Sequence, residues 1–386
     1  MVDFSLTPRD KELVALAERE NALAAKHARA ADVHSIDGAL PFPIPHPDVA
    51  GLEDPYEALA SDPAGTSSDV IAEALIMLAG AADADLRDRD HAFGSLVLDE
   101  FGTEEQKAKY GHLKLAIGLT EPGAGSDPSM IRSNARYDAG TGDYVLNGEK
   151  TFISFFNIYD GAVTLVRGEP DEKGNRPFQT FVVLRNQDGV GKVPSIRKMG
   201  MRQHDLAGFS MQDVRVPEIA RLSADFAKTF SKFNHNRPLV AAVALGTCRS
   251  MLDFTRERLE AGGITVDFAR GAARRSAAED RLIRMEALWE AAWGTVMYAK
   301  WKQTQVGTPS YDYRTEASIA KAIAGKAARV ITQTCLDILG PEALSEHYLA
   351  EKWFRDVRIA DIYEGAGEIQ RLLIAREMLG YKRELN

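Results

Sequence analysis

The chain has 386 residues, 45% of them hydrophobic and 27% charged, with a formal net charge of −9. This composition excludes bulk disorder and predicts a large core divided over more than one domain, while the acidic balance argues against nucleic acid and anionic membranes as partners. Cys248 and Cys335 stand far apart, with no Cys-x-x-Cys or Cys/His ligand spacing, so neither a disulfide framework nor a metal site is expected, and a reducing cytoplasmic location is.

Three zones follow one another: 1–111, mostly helical; 112–220, rich in short β runs; and 221–386, helical again. The first residues carry Asp3, Arg9 and Asp10 and no apolar run, so no signal peptide is expected. Thr7 is placed to cap a helix that starts at Pro8, with Asp10 three residues after the cap. The alternating prolines Pro41, Pro43, Pro45 and Pro47 predict a rigid extended connector. Helix is expected again over Ser68–Ala82, and Thr103-Glu104-Glu105-Gln106 carries a capping-box signature.

In the middle zone, Tyr137–Tyr144 reads as a hairpin turn, and Ala162–Val166 and Phe178–Leu184 as strands. Several strands at this spacing predict a small sandwich or barrel. In the last zone, Leu282, Met285, Trp289, Ala292 and Val296 repeat at helical spacing. Ile319, Ile323, Ala327, Val330, Cys335 and Ile338 do much the same, which predicts a core position for Cys335. Long helices with short links predict an antiparallel four-helix bundle. The fold class is mainly α with a central β domain.

Two segments bear on chemistry. Leu119–Asp127 brackets Ala124 with Gly123 and Gly125, followed by Ser126 and Asp127. Such a loop brings backbone N–H groups near a phosphate, although a plain tight turn reads the same way. It lacks both the dinucleotide fingerprint and the Walker pattern. Ile362–Leu373 puts Glu364 in a glycine-bracketed break before a helix. A helix N-terminus favours the charged carboxylate and desolvation favours the neutral acid. A base for a carbon-bound proton needs such tuning, while the plainer role is stabilisation of the helix.

With further pieces in the same order, the chain resembles the acyl-CoA dehydrogenase family, best from about residue 103 to 385. These pieces are Gly102–Lys107, Leu119–Asp127, Asn147–Ser154, Asp213–Pro217, Arg237–Ala242 and Tyr363–Leu373. The resemblance implies a helical domain, a β domain and a four-helix bundle, with FAD held between the last two. Ile117, Leu119, Thr120, Gly125 and Ser126 match the segment that lines the flavin ring and pyrophosphate. Phe152, Ile153 and Ser154 match the segment that packs on the flavin, Ser154 keeping the hydroxyl near N5. Tyr363, Gly365, Ala366, Gly367 and Glu368 match a further flavin-contacting stretch. Ser126, Asn234, Arg237, Tyr363 and Glu364 correspond to substrate-site positions, with Arg237 near the catalytic end. Glu364 matches the catalytic base. In the family, the enolate-like oxygen is held by the backbone N–H of that Glu and a ribityl hydroxyl, and the β-hydrogen leaves as hydride. An acyl-CoA substrate and an electron-transferring flavoprotein are the implied partners.

Four departures qualify the likeness. Only eight residues separate Tyr110 from Leu119, fewer than usual, and the zone around the proline run is short. These shortened segments favour a bulky steroid-derived, alicyclic or branched acyl group. His204-Asp205-Leu206 replaces the usual Ser-x-Thr, and His204 reads more simply as structural. The Arg-x-x-Phe-Gly motif that holds a neighbour's FAD is missing, its Arg position falling on Gly262. The Gln-x-x-Gly-Gly segment reads Asp337-Ile338-Leu339-Gly340-Pro341. Asp337 would repel a pyrophosphate, and Pro341 lacks a donor. Some steroid-degrading members form heterotetramers of two unlike chains, so the resemblance implies either a homo-oligomer or such a heterotetramer. The alternatives are a non-catalytic subunit, or a monooxygenase or oxidase of the same fold.

Overall fold

The computed structural model describes residues 4–35, 54–61, 67–79, 92–224, 226–305 and 313–380. The proline run and the last residues of the helix expected over Ser68–Ala82 lie outside them.

The first zone holds α1 (Pro8–Ala24), α2 (Ala28–His34), α3 (Pro55–Ser61), α4 (Ser67–Ala79), α5 (Phe93–Phe101) and α6 (Glu104–Tyr110). Two of its helix starts are legible in the sequence. Thr7 and Asp10 form a capping box at α1, and Thr103 and Gln106 form one at α6. A small core of Leu13, Ala17, Ala58, Leu59, Ala72 and Ile76 joins α1, α3 and α4.

The middle zone is one hydrogen-bonded sheet of mixed direction. Its strands are β1 (Leu115–Gly118), β2 (Asn134–Asp138), β3 (Asp143–Ser154), β4 (Gly161–Arg167), β5 (Phe178–Leu184), β6 (Val190–Val193), β7 (Leu206–Pro217) and β8 (Arg221–Leu222). The order is β6-β7-β3-β2-β4-β5-β8, with β1 added parallel to β4. The expected hairpin joins β2 to β3, pairing Tyr137 with Tyr144. β5 and β7, far apart along the sheet, touch, so the sheet folds over its own core. Phe156 and Phe209 stack inside it at 4.1 Å between ring centroids.

The last zone is the bundle of α7 (Phe226–Ala261), α8 (Ala277–Thr304), α9 (Arg314–Leu339) and α11 (Gly367–Leu379), with the short α10 (Ala350–Asp356) beside it. α8 buries Leu282, Trp289, Ala292 and Val296, as the spacing predicts, and Trp289 Nε1 donates to the Leu245 carbonyl at 2.8 Å. α9 corrects half of its predicted stripe. Cys335 is fully buried, but Ile323 and Val330 are exposed. The buried face is built mostly of Ala320, Ala324, Ala327, Ala328 and Gly325. Small side chains let α9 approach its neighbours closely, which leaves the larger aliphatics on the outside.

Asp32 ties the zones together. Its buried carboxylate meets Arg29 of α2, Arg202 of the β6–β7 connection and Arg355 of α10. No helix among the described residues is long and apolar enough to cross a membrane.

Candidate active site

The sheet side of the site begins with a bulge. β3 and β7 pair Thr151 with Gly208 and Ile153 with Ala207, so Phe152 is an extra residue without a partner in the ladder. Phe152 has a φ of +55°. The bulge turns its ring outward, 58% exposed, while Ile153 goes into the core at 2%. Beside it, the Thr151 N–H donates to the Thr120 carbonyl at 2.9 Å. The loop is pinned from below by Lys150, whose Nζ donates to the Leu119 carbonyl at 3.1 Å and to Glu121 Oε1 at 2.8 Å. Burial pushes Lys150 down to about 8, against the pull of Glu121. Burial raises the Glu121 carboxyl, but the Arg132 N–H and Lys150 outweigh it and hold the group below its ordinary range.

Ser154 Oγ and His204 Nε2 share a hydrogen bond of 2.8 Å. His204 packs on Phe155 with ring centroids 4.2 Å apart. Burial, then the nearby Lys198, pushes the imidazole down to about 3, so it is neutral at physiological pH. The residues that carry His204 reach the bundle, because the Met201 N–H donates to Asp356 Oδ1 at 2.7 Å. Gly200 lies so close to the Arg355 carbonyl that a Cβ there would stand 2.4 Å from its oxygen. Through this contact the Ser154 edge of the sheet adjoins the turn that leads to Glu364.

Glu364 itself has a φ of +54°. Its backbone is clamped on three sides. Arg237 Nε donates to the Glu364 carbonyl at 3.3 Å, and Gln370 Nε2 donates to the Glu364 and Gly365 carbonyls, each at 3.1 Å. Lys321 Nζ donates to the Gly365 carbonyl at 2.6 Å. Gly365 follows at φ +90°, a conformation that a side chain would strain. The Glu364 side chain accepts a hydrogen bond from Asn236 Nδ2 at Oε1, while Oε2 is buried without a hydrogen-bond partner. Burial pushes the carboxyl up to about 7. The Asn236 hydrogen bond, Arg237 and Lys321 oppose the rise. Pro238 follows in α7 and cannot donate to the Asn234 carbonyl, so the helix ladder is interrupted at the turn that bears these side chains.

Of the residues expected from the sequence, Glu364, Gly365 and Arg237 meet directly, and Asn234 Oδ1 accepts from Arg237 Nη1 at 2.7 Å. Leu119 and Thr120 lie against Lys150 and Thr151, two residues and one residue before Phe152. Ile117 lies in β1, half-buried, and Gly125 and Ser126 are on the exposed outer limb of the loop. Tyr363 packs against the bundle core, Gly367 opens α11, and Glu368 is exposed 3.6 Å from Arg371. Ala366 caps α11. Asn236, Gln370 and Lys321, which also meet at Glu364 and Gly365, carry no separate signal in the sequence. Lys150 and Glu121 lie within the Asn147–Ser154 and Leu119–Asp127 segments. A flavin-sized group suits these surfaces. Phe152 offers an exposed aromatic face, and no atom lies within 4 Å of where a Cβ would stand at Gly123 or Gly125. A buried carboxylate oxygen waits without a partner.

The chain matches two family models: the acyl-CoA dehydrogenase middle domain over residues 116–214 and the acyl-CoA dehydrogenase C-terminal domain over 226–379. It is 34% identical over 288 residues to a 3-(aryl)acrylate reductase of Clostridium sporogenes, covering 72% of this chain and 74% of that protein. It is 32% identical over 306 residues to a subunit of the caffeyl-CoA reductase-Etf complex of Acetobacterium woodii, covering 75% of each. The structure of butyryl-CoA dehydrogenase from Megasphaera elsdenii superimposes with a TM-score of 0.81 at 26% identity, covering 98% of this chain and 100% of that one.

Proposed function

Because the chain belongs to the acyl-CoA dehydrogenase family, FAD-dependent oxidoreductases acting on CH–CH bonds, we propose that it dehydrogenates an acyl-CoA thioester between Cα and Cβ, with Glu364 as the base. The observation that carries this reading is the Glu364 carboxyl. It is desolvated, raised to about 7 and backed by Arg237, and its Oε2 is unengaged. A base near neutrality combines a sizeable ionised fraction with useful proton affinity. The α-proton passes from carbon to Glu364, and the C–H electron pair remains on the thioester. FAD, when bound, would supply the two-electron acceptor for the β-hydrogen. Arg237, Lys321 and Gln370 hold the Glu364–Gly365 backbone in place while the carboxyl changes charge. Leu119, Thr120, Phe152 and Ser154 would line the flavin from the sheet side, and Gly365 to Glu368 from the bundle side, whereas Ile153, expected on the flavin, turns its side chain into the sheet's core behind Phe152.

The acyl group is bulky, in this reading an aryl, alicyclic or steroid-derived propanoyl unit. Support comes from the shortened segment before Leu119 and from the printed name of the aryl acrylate relative. Electrons pass to an electron-transferring flavoprotein, as the name of the Etf-complex relative suggests. Two free, buried cysteines suit a cytoplasmic setting. The chain works as an oligomer, and a heterotetramer with an unlike chain fits its second anchor. Asp337 is held by Gln333 and Arg281, and Pro341 follows it, where a phosphate would need donors. The names of both relatives favour a second reading, net reduction of an enoyl thioester by the reverse path, with Glu364 returning the proton.

Glu364→Gln decides the assignment. With 3-phenylpropanoyl-CoA and an artificial electron acceptor, turnover should fall by roughly a thousandfold while the flavin stays bound. Unchanged turnover in the flavin-loaded variant sinks the role of the base.

A further inference from the structure

The two oxygens of the Glu364 carboxyl are not equivalent. Oε1 is engaged by the Asn236 amide, reaching across from α7. Oε2 is buried and has no hydrogen-bond partner. Asn236 sits one residue before Arg237, which holds the Glu364 main chain through Nε. One turn of α7 therefore fixes both the backbone and one side-chain oxygen of the same residue. Asn236 Nδ2 is a donor only, so it can serve Oε1 only as a lone-pair acceptor. A proton arriving on the carboxyl is directed to the other oxygen.

We propose that Asn236 is a positioning residue which holds Glu364 through Oε1, so that Oε2 is the atom that takes the α-proton. The proposal rests on the reading of Glu364 as the base. In the step the substrate C–H bond breaks, an O–H bond forms at Oε2, and the electron pair stays on the thioester as its enolate. The charged groups that face the carboxyl are Arg237 from α7 and Lys321 from α9. Asp361 and Glu368, on either side of Glu364 in its own segment, face Lys321 in turn. The two cations remain when Asn236 is changed, so its own contribution can be isolated. A donor to the ionised carboxylate lowers the proton affinity of Glu364 and fixes its rotamer.

The test uses the flavin-loaded protein without substrate. The infrared band of the protonated Glu364 carboxyl, identified by its loss in Glu364→Gln, is followed against pH. In Asn236→Leu, which is close in size and lacks the donor, the midpoint should move up by about one to two pH units. The acid limb of kcat/KM for 3-phenylpropanoyl-CoA should move with it, and kcat at pH 7 should fall roughly tenfold or more. Asn236→Ala repeats the measurement should the leucine variant fold poorly. A midpoint unmoved in the folded variant overturns the proposal. If the midpoint moves but Glu364→Gln still turns over, Asn236 positions the carboxyl and the assigned reaction is what fails.

Discussion

Among the described residues, Phe152, Phe155, Met201, Asp213 and Glu364 hold positive φ without being glycine. Four of the five belong to the candidate site or to the contacts that brace it. Such conformations cost on the order of 1–3 kcal/mol each and persist only where packing enforces them. Glu364 carries a second cost, since its carboxyl is raised from the ordinary 4.5 to about 7 by burial. The folded state therefore prefers the protonated acid. That preference contributes stability below about pH 4.5, and the contribution is lost as pH rises through 7. Glu364→Gln keeps the shape and removes the ionisation. It should match the parent near pH 4.5 and exceed it at pH 8 by on the order of 1–3 kcal/mol, measured by urea unfolding of both proteins. Equal stability at pH 8 would show that the ionised carboxylate is not desolvated. Glu364 was legible because Gly365 and Gly367 follow it at the break before a helix. Asn236 was not, because an asparagine inside a helical pattern looks like an ordinary surface residue until the final turn is folded against it.

Among the elements, the sheet gave up its hydrophobic strands readily and hid β3. Asn147, Gly148, Glu149 and Lys150 are poor strand formers, yet they lie in the middle of a twelve-residue strand. Lys150 is fully buried there because Glu121 receives its charge, and that partner lies 29 residues earlier in the chain. Removing one member of a buried pair leaves an uncompensated charge. Lys150→Met should destabilise the protein by about 3 kcal/mol and loosen the Leu119–Glu121 loop. The double change with Glu121→Gln should recover much of that loss. Thermal melts of the three variants, read beside flavin release, would check this, and a single variant as stable as the parent would contradict it. Half of the α9 stripe, Ile323 and Val330, failed for a different reason. Periodicity marks two apolar faces there, and only the packing of α7 and α8 shows that the alanine face goes inside.

At the level of the whole molecule, the three zones were visible as changes in residue pattern, but the ties between them were not. The second half of the cofactor site raises a question of assembly. On the proposed reading, Gly262 stands where the family has an arginine and Asp337 is held by Gln333 and Arg281, so the chain would offer little to a neighbour's adenosine half. Expressed alone, it should purify with substoichiometric FAD, and an unlike partner chain should restore occupancy. Full flavin content in a pure homo-oligomer, read from its absorbance spectrum, would exclude the partner requirement.

The Asp32 hub also dictates an order of events during synthesis. Arg355 reaches Asp32 across 323 residues of chain, and Lys300 reaches Glu73 across 227. Neither contact exists until residue 355, or residue 300, has left the ribosome. Until then the small core of α1, α3 and α4 can close on itself, but Ala74 and Met77 of α4 lack the bundle core they join. Elongation that stalls before Arg355 should leave the buried Asp32 carboxylate with Arg29 and Arg202 alone.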